Sequence, residues 1–130
     1  MKKTPEQIAK EWLYFAKSDL RLAQLAFGDK IFHEACFMSQ QATEKSLKAV
    51  LAKRNLPIPK THSIRQLAKL TSVELPEEAK FLDQFYLPSR YPDALPGSLP
   101  EGLPQKDDAA KAFAVAEKTL TLIKNLLAKN

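Results

Sequence analysis

Twelve consecutive residues, Gln40-Gln41-Ala42-Thr43-Glu44-Lys45-Ser46-Leu47-Lys48-Ala49-Val50-Leu51, contain neither proline nor glycine and are rich in strong helix formers. Wound as a helix they carry two unlike stripes. Ala35, Ser39, Ala42, Ser46 and Ala49, spaced by three and four, form a face of small residues that lets another helix approach closely. Phe37, Gln41, Glu44, Lys48 and Leu51 form a second stripe with polar groups between two apolar ends. Glu44 precedes Lys48 by four, the favourable order for a charge pair on a helix. A helix of this kind packs on one side and offers a row of amides and charges on another. The pattern predicts the wall of a site.

The remaining chain is read around that helix. Thr4-Pro5-Glu6-Gln7 is a helix start, with Thr4 as N-cap, Pro5 at the first position and Gln7 closing a capping box. Helical spacing of Ile8, Trp12, Phe15, Ala16, Leu22, Ala23 and Ala26 follows, and Gly28-Asp29 is expected to end this helix. Asp19 lies in phase with Trp12 and Ala23, so its carboxylate requires a cationic or amide partner. The second helix is expected from about Ile31 to Arg54, antiparallel to the first because the connection is short. Ser63-Ile64-Arg65-Gln66 reads as another capping box, opening a short helix. Pro76-Glu77-Glu78 opens the next, with Ala79, Leu82, Phe85 and Tyr86 inward. Prolines 88, 92, 96, 100 and 104 then exclude a regular helix. A last helix begins near Gln105 or Asp107 with Ala109, Phe113, Ala116, Leu120, Ile123 and Leu127 inward. No segment shows strand alternation. The fold class is all-α: one domain over residues 1–130, an antiparallel up-and-down bundle of four to five helices with a long Pro-rich loop before the last.

Composition narrows the function classes. A chain that is 45% hydrophobic and 27% charged is an ordinary globular one. The single cysteine, Cys36, excludes an internal disulfide and reads as a buried thiol. No apolar run approaches a membrane span, and Glu6, Lys10 and Glu11 interrupt the place where a signal peptide needs apolar residues. No membrane contact is expected, and the cytoplasm is the expected compartment. The net charge of +5 is compatible with an anionic partner, but the lysines are spread along every helix rather than clustered.

Gln-Gln-Ala-x-Glu-Lys-x-Leu-Lys-Ala-x-Leu, at Gln40 to Leu51, resembles the core of the HEPN (higher eukaryotes and prokaryotes nucleotide-binding) domains. Trp12 with Ala16-Lys17-Ser18-Asp19-Leu20, Thr61-His62-Ser63-Ile64 and Ser89-Arg90-Tyr91-Pro92 support the resemblance, which spans nearly the whole chain. It implies an antiparallel helical bundle that pairs as a homodimer. Many such domains are encoded beside a minimal nucleotidyltransferase, and some are RNases of toxin–antitoxin systems. The RNase-type members carry an Arg and a His with four to six residues between them. Here Leu95, Pro96 and Gly97 occupy those positions after Arg90, and no histidine follows His62. The resemblance therefore favours a nucleotide-binding or accessory module that works with a nucleotidyltransferase and has no catalytic residues of its own. An RNase toxin and a purely structural interaction protein are the alternatives.

The residues themselves offer little chemistry beyond binding. His33 and His62 are far apart, and His33-x-x-Cys36 alone does not make a metal set, so no metal and no cofactor are expected. Neither histidine has an obvious orienting acid, and glycine-rich phosphate loops are absent. A polar constellation remains: Asp19, Gln41, Lys45, Lys48, His62, Arg90 and Tyr91. Lysine and arginine would neutralise phosphate, with His62 and the free amides near Ser63 adding to an anion site. Tyr91, and secondarily Tyr86, would stack on a base. The competing reading is that Asp19, Gln41, Glu44, Lys48 and Arg90 satisfy one another and set the register of the bundle.

Overall fold

The structure, a computed structural model, describes residues 2–86 and 102–129. Two long helices open the chain, α1 (Pro5–Gly28) and α2 (Phe32–Lys53). A short helix α3 (Ile64–Thr71) and a 3₁₀ segment (Glu77–Phe85) follow, and α4 (Lys106–Ala128) closes it. The bundle is all-helical among the described residues.

Local chemistry sets the helix ends. The Thr4 hydroxyl accepts from the Gln7 amide at 3.1 Å, and the Gln7 side chain accepts from the Thr4 amide at 2.8 Å, so the capping box is complete. The other end of α1 falls where expected: Gly28 is its last residue and Asp29 its C-cap, though Lys30 rather than the glycine takes the left-handed position (φ 63°). The Ile31 amide donates to the Ala26 carbonyl at 2.8 Å and the Lys30 amide to Phe27 at 3.0 Å, the two bonds of a Schellman motif. What ends the helix is this pair of bonds two residues on, and the glycine is an ordinary helical residue. Asn55 (φ 57°) does the same for α2, with Leu56 donating to Leu51 and Asn55 to Ala52.

The middle of the chain also departs from the simple reading. Ser63 caps α3 through the Gln66 amide, but Gln66 does not return the bond; its side chain accepts from the Thr61 hydroxyl. Residues 77–85 wind as a 3₁₀ helix. Three residues per turn place Ala79, Leu82 and Phe85 directly above one another, and all three are fully buried. On α4 the expected face is rotated. Ala112, Val115 and Thr119 are buried with Ala109, Ala116, Leu120 and Ile123, while Phe113 and Leu127 are only half-buried. Small side chains win the inward positions because α4 packs on a neighbour whose surface is itself made of small residues.

That neighbour is α2, which contacts α1, α3, α4 and the 3₁₀ segment. Ala35, Ser39, Ala42, Ser46 and Ala49 are all at 0% exposure, so the small-residue face makes the close approach it was expected to make. Its hydroxyls are satisfied within the helix: Ser39 donates to the Ala35 carbonyl, Thr43 to Ser39 and Ser46 to Thr43. The apolar core lies where α2 meets α3, the 3₁₀ segment and α4, with Leu47, Leu51, Ile64, Leu67, Leu82, Phe85 and Ile123 at its centre. Each such side chain contributes roughly 1.5–3 kcal/mol by leaving water. The guanidinium of Arg54 reaches across to the Thr71 carbonyl and ties the end of α2 to the end of α3.

Candidate functional site

The polar stripe of α2 lies inside the bundle. Glu44 and Lys48 are buried, with side chains 4% and 7% exposed, and their charges meet at 2.9 Å. Because α2 has neighbours on all sides, the row expected to form an open wall is covered. A buried carboxylate needs every lone pair engaged. One Glu44 oxygen takes the Lys48 ammonium; the other takes the Gln40 amide at 3.3 Å and His62 Nδ1 at 3.1 Å. Gln40 also donates to the His62 carbonyl at 2.8 Å and accepts from Gln41 at 2.6 Å. The Lys48 ammonium in turn sits 5.7 Å from the centre of the Trp12 ring. Asp19 finds the cationic partner its position demands: Lys45, at 2.6 Å. No buried side-chain nitrogen or oxygen among the described residues lacks a partner.

Two sequence expectations are corrected here. His62 does have an orienting acid, and it is Glu44, eighteen residues earlier and on another element. Since the carboxylate only accepts, it holds the proton on Nδ1 and leaves Nε2 of the neutral ring as an acceptor. The second correction concerns the start of α3. Its amides are not free: the Asp83 carboxylate takes the N–H groups of Ile64 and Arg65 and the Ser63 hydroxyl. The protein supplies its own anion to that helix end.

Of the seven candidates, the structure brings Asp19 and Lys45 together as one pair, and Gln41, Lys48 and His62 together through Gln40 and Glu44. Arg90 and Tyr91 lie outside the described residues, as does most of the Pro-rich loop. Sequence reasoning passed over Gln40 as a site residue, although Gln40 and Glu44 are one turn apart and face the same way. It also gave Tyr86 only a minor place. The Tyr86 ring stacks on His62, with centres 3.9 Å apart and planes 20° apart, and Phe37 lies beyond it at 6.1 Å. His62 therefore has a carboxylate at one nitrogen and an aromatic ring on one face, yet its side chain stays 43% exposed.

The charges nearly cancel. Asp19 neutralises Lys45 and Glu44 neutralises Lys48, so neither lysine is an open phosphate ligand. Cys36, on the same helix, is inert at neutral pH: burial, and then the charge of Asp108, push its thiol up to about 12. No group of three or more metal-ligating side chains occurs among the described residues.

The model of the HEPN domain family matches residues 9–126. The chain belongs to the HEPN family. Two solved structures share this fold at a TM-score of 0.72 each. One is a crystal structure of ST0689, an archaeal HEPN homologue, with 30% identity over 98% of this chain and 99% of that one. The other is TT1696 from Thermus thermophilus, with 31% identity over 90% of this chain and 96% of that one. No curated protein matches the chain. The polar cluster of this HEPN domain thus spans the stretch that carries the sequence resemblance, with Gln40, Gln41, Glu44, Lys45 and Lys48 all on α2.

Proposed function

We propose that this HEPN domain is a nucleotide-binding accessory module that works with a minimal nucleotidyltransferase and performs no reaction alone. The observation that carries the reading is His62: fixed by Glu44, stacked on Tyr86 and still exposed. Its Nδ1 is held by Glu44, and its Nε2 faces no protein partner among the described residues. The N–H edge of a base would donate to Nε2, and the aromatic pair Tyr86–Phe37 supplies a flat apolar wall beside it. Arg90 and Tyr91 follow Tyr86 in the chain by four and five residues, which supports their assignment to the same ligand. The test is calorimetric titration with ATP, GTP and a short RNA at low and moderate salt. The expected result is saturable nucleotide binding that falls about tenfold, or about 1.4 kcal/mol, in His62→Ala and in Arg90→Ala. Unchanged affinity in both variants would sink the placement.

The module is proposed to act as a homodimer through the outer face of α1. Tyr14, Phe15, Leu22 and Leu25 are 66%, 52%, 49% and 51% exposed, an apolar surface on one helix that a lone protomer leaves wet. Small Ser18 lies at the middle of this face and would let a second α1 cross closely.

The Glu44–His62 pair also favours a second reading, an RNase in which His62 is the general base. Metal-independent RNA cleavage that disappears in both His62→Ala and Arg90→Ala would establish it; absence of cleavage by the dimer would reject it.

A further inference from the structure

The lysines that look dispersed in the sequence are gathered at one end of the bundle. Glu6, Lys10, Leu13 and Lys17 recur along one face of α1 at intervals of four, three and four. They border a pocket of about 270 Å³ between α1 and α4, closed by the end of α2. Ala9, Leu13 and Leu127 form its apolar floor, and Lys10, Lys17, Lys53 and Lys124 stand around it. Lys53 is paired with Glu6 at 3.7 Å, whereas Lys10, Lys17 and Lys124 make no ion pair with any described residue. Four ammonium groups thus face one carboxylate over a floor of aliphatic carbon.

The surroundings select the kind of ligand. A compact phosphate would be held here by lysine side chains, with little help from helix amides. Both α2 and α4 present their carbonyl ends at this pole of the bundle. At the start of α1, Pro5 has no N–H and the Gln7 amide is taken by Thr4. A phosphate would rest on lysines alone and leave the floor in water. An acidic chain segment with an apolar side chain matches both parts, because its carboxylates meet the rim while its side chain fills the floor.

We propose that this lysine-rimmed pocket is the docking site for an acidic segment of a partner protein, which inserts one apolar side chain between α1 and α4. The site shares no residue with the His62 cluster, so failure of nucleotide binding there leaves it standing.

The experiment titrates the full chain with fluorescent peptides Glu-Glu-X-Glu-Glu, where X is Leu, Phe or Ala, and with sodium triphosphate and a short single-stranded RNA. Saturable binding of the Leu and Phe peptides is expected, with the Ala peptide about tenfold weaker. The Leu13 and Leu127 methyl resonances of the unmodified protein should shift on binding. Lys10→Glu with Lys124→Glu should weaken the Leu peptide about tenfold, while Lys106→Glu, a reversal elsewhere on the surface, leaves it unchanged. Equal binding of the Ala peptide, triphosphate or RNA would reduce the pocket to plain charge attraction and overturn the proposal. So would equal loss in Lys106→Glu, shifts that avoid Leu13 and Leu127, or no saturable binding by any peptide.

Discussion

The two long helices are nearly equal in length and opposite in character. Of the 24 residues of α1, four are buried: Ala9, Ala16, Asp19 and Ala23. Of the 22 residues of α2, fourteen are buried, and they include Gln40, Glu44 and Lys48. The helix with the large aromatic and aliphatic side chains leaves several of them in water, and the helix with paired charges takes the centre. A helix reaches a central place by having a surface its neighbours can approach, and α2 has alanines and serines on the side that α1 and α4 use. Its charges are tolerable there because each has an opposite partner and hydrogen bonds to the remaining lone pairs. The apolar outer face of α1 has no such internal reason, which is why it is the face proposed above for a second protomer.

Breaking the buried pair should have the largest effect. Lys48→Ala leaves the Glu44 carboxylate uncompensated, and the expected loss is about 3–5 kcal/mol in urea denaturation. The double variant Glu44→Leu with Lys48→Met should recover much of that loss, because an apolar pair of similar volume needs no desolvated charge. A single-variant loss under about 1 kcal/mol would show that the pair is as solvated as a surface one and that the contrast with α1 is false.

On α1 the opposite pattern is expected. Leu22→Glu should weaken self-association by about 2–4 kcal/mol, the range of an interface hot spot, while moving protomer stability by less than about 0.5 kcal/mol. Light scattering over a dilution series reads the first quantity and denaturation of the dilute protein the second. An unchanged mass would mean that this face is simply exposed.

The start of α3 offers an intermediate case, an anion held at a helix end rather than inside the bundle. Asp83→Ala should cost about 1–2 kcal/mol, the value of a strong cap, because the Ile64 and Arg65 amides lose their acceptor. Added sulfate or phosphate should restore part of it if the vacated amides then bind the salt anion.

The smallest effect concerns Cys36. Its thiol is raised in the folded state, from 9.0 to about 12, so folding favours the protonated form. That contribution is complete below pH 9.0 and is lost as pH rises towards 12, where the unfolded chain gains by ionising. Cys36→Ala should therefore flatten the fall of stability above pH 9, and a thiol reagent at pH 8 should react only with denatured protein. Rapid reaction of the native chain would contradict the burial of this side of α2.

Much of the bundle was legible because local rules and packing agree. The Thr4 capping box, the small-residue face of α2, the need of Asp19 for a cation and the Glu44–Lys48 pair all follow from spacing within one helix or from the cost of burying a charge. Gly28 was legible as the helix end, although the bonds that close α1 come from Lys30 and Ile31. The errors have one origin. The amides near Ser63 looked free because Asp83 is twenty residues away in sequence. His62 looked unsupported because Glu44 is eighteen residues away on the helix it packs against.

Sequence alone determined that this chain is a helical bundle, since helix propensity, caps and three-to-four spacing act over a few residues and survive without knowledge of the neighbours. Tertiary structure alone decided which charges cancel and which remain available. That outcome depends on ångström distances between groups the chain separates widely, and it turned lysines 45 and 48 inward while gathering lysines 10, 17, 53 and 124 around one pocket.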